Sequence, residues 1–451
     1  MKIHLVSLGC ARNLIDSEIM LGRLLRTGAK IVDDPGDAEV IIVNTCSFID
    51  SAADESIDTI LALAKYKKNS SCRRLVVTGC LPERYREDIV DAIPEVDVFL
   101  GTGAFNRIVE AVDGYLDTAG CILPDPDSVV LSGGDATRAR SAPHMAYLKI
   151  AEGCSKRCTY CIIPKLRGKQ KSRTLEDIVS EACDLVRTGV KELVLVSQDT
   201  TAYGKDLPPG TGLDQLLDAL ANIPAGREST ICSVPEAEKF WIRFLYGHPE
   251  SIDESVLRTV AQHANICSYF DILIQHASDP VLKRMGRNYT KADLYRLVDR
   301  MRSLVPEAAL RTTIIVGFPG ETDQEFNDLM QFVEDVRFNH LGCFMYSDAE
   351  DLPSHRLDGH VPETVAKERY NMLMSTQVKI SSGHNRRYVG RSIPVLIEEQ
   401  LEAHLFAGRS AFQAPEVDGV TYMRSKQLQT GCISDIRITD ALEYDLAGEA
   451  E

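Results

Sequence analysis

Glu152-Gly153-Cys154-Ser155-Lys156-Arg157-Cys158-Thr159-Tyr160-Cys161 carries three cysteines on one short loop, at spacings of x3 and x2. Three thiolates so spaced can grip three corners of an iron–sulfur cube. A [4Fe-4S] cluster normally takes four protein thiolates. The loop supplies no fourth, so one iron stays open to a small chelating ligand, as binding and reductive cleavage of S-adenosylmethionine (SAM) require. The competing readings are a zinc loop or three unrelated thiols. Structural zinc wants four ligands, commonly from two CxxC pairs, and no second pair is nearby.

The loop resembles that of the radical SAM superfamily, and Tyr160 fits the aromatic which that superfamily places before its third cysteine. Around it, residues 144–376 alternate strand and helix patterns. Strands are predicted at 146–150, 192–197, 241–246, 269–274, 310–316 and 341–346. Helices are predicted at 175–187, 253–263, 291–303 and 323–336, with a closing helix at 362–379. Six βα units imply a partial (β/α)6 barrel with active residues at the strands' carboxyl ends. The cysteine loop follows the first strand, as that geometry needs. Residues 225–239 read as an inserted loop.

The segment before it, residues 1–120, also alternates. Strand-like runs at 3–8, 40–44 and 75–78 are short, apolar and rich in branched residues, as buried parallel strands are. Helix patterns lie at 16–26 and 52–66. A βαβα order implies a parallel sheet flanked by helices. Each of the three runs closes on a cysteine: Cys10, Cys46 and Cys80, separated by 36 and 34 residues. Carboxyl ends of parallel strands lie along one edge, where such folds bind ligands. Three thiols remote in sequence should therefore converge there. The alternative is ordinary buried cysteine; three equivalent positions favour a second cluster, again with an open iron.

Residues 121–143 contain Pro124, Pro126, Gly133 and Gly134 and read as a linker. Ser132-Gly133-Gly134-Asp135 is a loop signal without the strand–turn–helix setting of a phosphate cradle. Residues 384–447 show short strand patterns at 392–398, 404–408, 419–422 and 432–439, which predict a small antiparallel β-barrel. The fold class is thus α/β, in three units.

The chain has 451 residues, 13 cysteines and a net charge of -16. No apolar run approaches the ~20 residues of a membrane span, and the start lacks a signal-peptide pattern. A cytoplasmic location with no membrane partner is expected, where thiols serve metals or catalysis more than disulfides. The acidic balance disfavours broad contact with nucleic acid. It would attract a basic protein partner, or simply keep the chain soluble.

Two cysteine triads in this order, followed by a small β-domain, resemble the methylthiotransferases over essentially the whole chain. The resemblance implies an auxiliary [4Fe-4S] cluster on Cys10, Cys46 and Cys80, and a SAM-cleaving [4Fe-4S] cluster on Cys154, Cys158 and Cys161. It also implies a TRAM domain that helps dock the substrate. One branch modifies a tRNA adenosine, the other an aspartate of small-subunit ribosomal protein twelve. Gln198-Asp199-Thr200-Thr201-Ala202-Tyr203-Gly204-Lys205-Asp206-Leu207, Phe344-Met345-Tyr346-Ser347 and the run from Gly408 to Gly419 look like the ribosomal-protein branch. That branch would carry an acid where Gln413 stands. Seven Lys or Arg against nine acids in residues 384–447 favour a basic protein substrate over tRNA. The implied chemistry is one-electron cleavage of SAM, hydrogen removal from the aspartate β-carbon, sulfur insertion at the auxiliary site and methylation by a second SAM. An electron donor and a sulfur donor are also implied. The class without catalysis is an iron–sulfur scaffold or redox sensor. Gly317-Phe318-Pro319-Gly320-Glu321 is expected to line the SAM pocket through Gly317 and Pro319, against the alternative of an ordinary turn. Gln275-His276 either faces the barrel mouth or is structural. Cys72, Cys121, Cys183, Cys232, Cys267, Cys343 and Cys432 lack convergent spacing and read mostly as small buried residues.

Overall fold

The computed structural model describes residues 1–116, 120–129, 138–223 and 240–450. The glycine-rich loop at 132–135, Cys232 and the insertion at 225–239 lie outside them.

The first unit is a six-stranded parallel sheet: β1 (Lys2–Ser7), β2 (Lys30–Ile31), β3 (Val40–Thr45), β4 (Arg74–Gly79), β5 (Val98–Leu100) and β6 (Gly120–Ile122), in spatial order β2-β1-β3-β4-β5-β6. Every residue of β3 is buried, because helices cover both faces and leave no face for polar side chains. Sequence patterning finds β1, β3 and β4 but not β2, β5 or β6. Those strands have two or three residues, too few to show a period, and exist through pairing with neighbours already in place. Cys121 and Ile122, expected in a linker, belong to β6.

Helix Ala11–Arg26 works on two faces. Met20 and Leu24 fill the core of its own sheet. Ala11 and Ile15 enter a different cluster, with Tyr147, Val194 and Leu245 of the central unit. Burying one such isoleucine contributes about 2 kcal/mol, so this helix joins the two units.

The central unit contains β7 (Met145–Lys149), β8 (Ala151–Glu152), β9 (Lys171–Ser172), β10 (Glu192–Val196), β11 (Trp241–Phe244), β12 (Tyr269–Asp271), β13 (Ala309–Val316) and β14 (His340–Met345). Strands β7, β10 and β11 form one parallel sheet and β12, β13 and β14 another. The sheets join where Gly247 N donates to Asp271 O at 2.8 Å and Leu273 N to Gly247 O at 2.9 Å. The result is a continuous arc of six parallel strands, a partial barrel. Short β8 pairs with β9 and carries the chain into the cysteine loop.

The last unit is a closed barrel of β15 (Ser392–Glu402), β16 (Leu405–Ser410), β17 (Thr421–Arg424), β18 (Ile433–Ala441) and β19 (Leu446–Ala450). It departs from the all-antiparallel expectation: β19 pairs with β17 in parallel. The sequence Leu-Ala-Gly-Glu-Ala has little strand propensity, so β19 is set by closure of the barrel. The segment between β16 and β17 seats this unit on the central one. Gln413 and Ala414 are buried, as are Arg409 and Ser410 at the end of β16 and the side chain of Asp418. Tyr269 OH donates to Asp418 at 2.6 Å, and His340 Nε2 lies 2.8 Å from Phe412 O. Tyr269 and His340 begin β12 and β14, so the contact closes the amino end of the arc, opposite the cysteine loop. Among the described residues no helix is long and apolar enough to cross a membrane.

Candidate active site

Register aligns the first triad. Ser7 pairs with Asn44, Asn44 with Thr78 and Thr45 with Gly79. Cys10, Cys46 and Cys80 follow at the carboxyl ends of three adjacent strands. The approach is close enough that a Cβ on Gly9 would meet Cys46 Sγ at 3.2 Å. Asn13 Nδ2 ties the strand ends, donating to Leu8 O at 3.2 Å and Thr45 O at 2.8 Å.

The electrostatics favour thiolates unequally. Cys10 caps the helix Ala11–Arg26. Burial alone would raise its thiol, but Arg12, Arg167 and the amides of Asn13 and Arg12 outweigh it and hold Cys10 below its ordinary value, as helix N-termini and guanidiniums do. Burial dominates at Cys46, which is raised, and at Cys80, pushed up to about 11 despite Arg167. To ionise, these two need a nearby positive charge of the kind a bound metal gives.

The second triad rides the loop after β8. Cys154 N donates to Gly168 O at 3.0 Å, Cys161 N to Cys158 O at 3.2 Å and Thr159 N to Met285 O at 3.0 Å. All three cysteines are half-buried. Burial raises Cys154, and it raises Cys161 to about 12. Tyr160 OH accepts from Arg287 at 2.5 Å, and its ring meets Phe318 edge-on at 6.2 Å. Tyr160 thus faces the turn after β13.

Within that turn, Glu321 accepts from the Gly317 and Phe318 amides. A Cβ on Gly317 would come within 2.6 Å of Ala366 Cβ, so helix packing alone demands glycine there. Pro319 is buried. Gln275, held at φ 64, and His276 follow β12. His276 is fully buried, with Nδ1 accepting from Ser278 N at 2.9 Å and Nε2 facing Glu321 Oε1 at 3.8 Å. Of the other cysteines, Cys72, Cys183, Cys267 and Cys343 are buried, Cys121 is half-buried and Cys432 is exposed.

At the interface of the units, Cys80 of the first triad packs beside the segment that follows the second. Cys80, Ile162, Leu166 and Leu352 form one apolar cluster, and Ile162 directly follows Cys161. Beside it runs a buried ionic network that sequence reasoning did not find. Arg167 reaches Cys80 Sγ at 3.6 Å, Asn13 Oδ1 at 2.5 Å, Asp16 Oδ2 at 3.1 Å and Glu152 Oε2 at 3.2 Å. Lys149 Nζ lies 2.5 Å from Asp16 and 2.7 Å from Glu152. Among the described residues no three His, Cys, Asp or Glu side chains converge tightly enough for a single metal ion.

Three stretches match known families: residues 2–101 the uncharacterized protein family UPF0004, residues 148–333 the radical SAM superfamily and residues 389–450 the TRAM domain. The ribosomal protein uS12 methylthiotransferase RimO of Desulfosudis oleivorans is 51% identical, with 100% of both chains covered. That of Clostridioides difficile is 47% identical, covering 100% of this chain and 98% of its own. The chain belongs to the RimO family of radical SAM methylthiotransferases. Membership brings a [4Fe-4S] cluster and SAM as cofactors. The fold is also similar to that of the radical SAM methyltransferase TsrM from Kitasatospora setae, at a TM-score of 0.59 and 14% identity over 84% of this chain and 89% of that one.

Within the segment Gly408 to Gly419, Gln413 stands where the ribosomal-protein branch would carry an acid. Gln413 is buried, and its Oε1 accepts from Ser410 N at 3.0 Å, Ser410 Oγ at 3.0 Å and Thr421 Oγ1 at 2.9 Å. The amide carbonyl does what a carboxylate oxygen would do there, and the residue serves the seating of the barrel.

Proposed function

We propose that this RimO family member adds a methylthio group to the β-carbon of an aspartate in ribosomal protein uS12, in the cytoplasm. In this reading Cys154, Cys158 and Cys161 hold the SAM-cleaving cluster, and Cys10, Cys46 and Cys80 hold a second one. With its cofactors bound, such a site supplies a one-electron cleavage of SAM and a sulfur atom for transfer. An electron donor and a sulfur donor complete the reaction.

The chain's own part is placement and exclusion of water. Packing of Cys80 against Ile162, beside Cys161, is the observation that carries the reading. It brings hydrogen removal and sulfur insertion to one interface, as two steps on a single carbon require. Tyr160, Phe318 and Tyr346 pack edge-on beside the loop at 6.2 and 5.1 Å. They shield one side of it with hydrocarbon. Relatives over the full length carry the uS12 name, which supports the substrate.

The test is anaerobic reconstitution followed by incubation with uS12, SAM and a strong reductant. About eight irons per chain are expected, two cubes of four. Formation of 5′-deoxyadenosine and a methylthio mass increase on one uS12 aspartate, located by tandem mass spectrometry, would follow. A chain that loads only about four irons, or leaves uS12 unmodified while modifying tRNA, overturns the proposal.

A further inference from the structure

Buried cations at the interface between the first and central units are matched by carboxylates. Arg167 and Lys149 have Asp16 and Glu152. Arg84 has Asp351 at 2.9 Å and Asp50 at 3.4 Å. Arg138 has Glu18 and Glu181. Arg12 is the exception. Its NH1 donates to Ser197 O at 2.8 Å, and its guanidinium lies 4.6 Å from the Tyr246 ring centre. Among the described residues no carboxylate is within ion-pair distance of it.

The position of this cation is specific. Arg12 leaves the helix two residues after Cys10 and crosses to the central unit. Ser197 and Tyr246 follow β10 and β11, at the carboxyl ends that open toward the cysteine loop. Tyr246 is held there at φ 64, a left-handed conformation that bulky residues adopt only under constraint. Its amide donates to Asp271 Oδ2 at 3.0 Å and its carbonyl accepts from Thr200 N at 3.0 Å. The strained backbone holds the ring beneath the guanidinium. A guanidinium has five N–H donors. Arg12 is half-buried, and donors beyond those given to Ser197 and Cys10 are left over. The one anion set beside it is the Cys10 thiol, and its planar fork still matches a carboxylate in two-point contact.

We propose that Arg12 binds the carboxylate of the target aspartate and is the residue that selects aspartate as substrate. The inference rests on the reading of a protein aspartate as substrate. The carboxylate is one bond from the β-carbon. Gripping it holds that carbon between the Cys10 side and the barrel mouth, and an asparagine in the same place offers Arg12 no charge. The competing role for Arg12 is to offset thiolate charge at Cys10 alone, which involves no substrate contact.

The experiment measures binding of fluorescently labelled uS12, and of uS12 with the modified aspartate changed to asparagine, to the reconstituted enzyme. Wild type should prefer the aspartate form by about tenfold or more, the worth of one charged hydrogen bond. Arg12→Gln should bring the ratio near one by weakening the aspartate form only, with both proteins compared at equal iron content. Arg12→Lys should keep part of the preference. Equal weakening of both forms, or an unchanged ratio in Arg12→Gln, overturns the proposal in favour of the charge-offset role. A wild-type ratio near one overturns it without any variant, so misfolding of Arg12→Gln does not protect it. If wild type leaves uS12 unmodified, the substrate reading has failed, and this inference falls with it for that separate reason.

Discussion

Glu192→Gln should loosen the seat of the TRAM barrel by about 3 kcal/mol. Glu192 is 0% exposed, and so is Arg243, whose Nε lies 2.7 Å away; Arg409, at 2.5 Å, has a side chain 3% exposed. Arg409 keeps Glu398 as a second partner at 2.6 Å, whereas Glu192 is the only carboxylate beside Arg243 among the described residues. Breaking a buried pair from one side typically costs about 3–5 kcal/mol, because the remaining charge stays buried. The electrostatics of the site point the same way. Burial alone would raise Glu192, but Arg409 and Arg243 outweigh it and lower the carboxyl from 4.5 to about 2, which corresponds to about 3 kcal/mol. A carboxyl depressed on folding stabilises fully above its unfolded value and loses that contribution as pH falls toward the folded one. Wild type should therefore lose stability between pH 4.5 and about 2, and Glu192→Gln should lack this part of the acid dependence. Urea unfolding followed by circular dichroism at pH 7, and again at pH 3, measures both. A loss below about 1 kcal/mol at pH 7, the worth of an exposed pair, or an acid dependence equal to wild type, would refute the reasoning.

Cys158→Ala should abolish 5′-deoxyadenosine formation, read by liquid chromatography, while iron falls to about four per chain. Cys46→Ala should retain some SAM cleavage yet leave uS12 without a methylthio mass; a full product yield contradicts the role given to the first triad. Gly153→Ala should cost the second cluster: Gly153 sits at φ 79, and a Cβ there would lie 2.1 Å from Lys169 O, forcing the loop that carries Cys154 to move. Wild-type iron content in that variant would count against the loop geometry. Gln413→Glu should stay within about 1 kcal/mol of wild type in thermal unfolding, because the three-donor acceptor survives. Gln413→Ala should lose about 2 kcal/mol by stranding those donors. The reverse ranking would show that the seat does not depend on the acceptor.

The cysteine triads were legible because each is tied to a pattern that local sequence expresses. Three apolar runs end on Cys10, Cys46 and Cys80, and parallel pairing then aligns Ser7, Asn44 and Thr78 across the sheet. The Cys154 loop needs no tertiary information, since its three cysteines lie within eight residues. What stayed hidden depends on distant partners. Strand β19 has no propensity of its own and forms because β17 and β18 leave a gap that it closes. Asp16, Glu18 and Asn13 on the first helix look like a solvated face beside the apolar Ile15 and Met20. They are buried because Lys149, Arg167 and Arg138 arrive from more than 110 positions away. Either half of such a pair, read alone, is surface charge. Periodicity therefore separates core from surface within a unit but misreads an interface built of complementary ions. The useful signal is the converse one: polar residues crowded beside a ligand-bearing cysteine, as in Cys10-Ala11-Arg12-Asn13, where a free surface has no reason to place them. Arg12 belongs to that group, and among the described residues no carboxylate lies within ion-pair distance of it, unlike Lys149, Arg167 and Arg138.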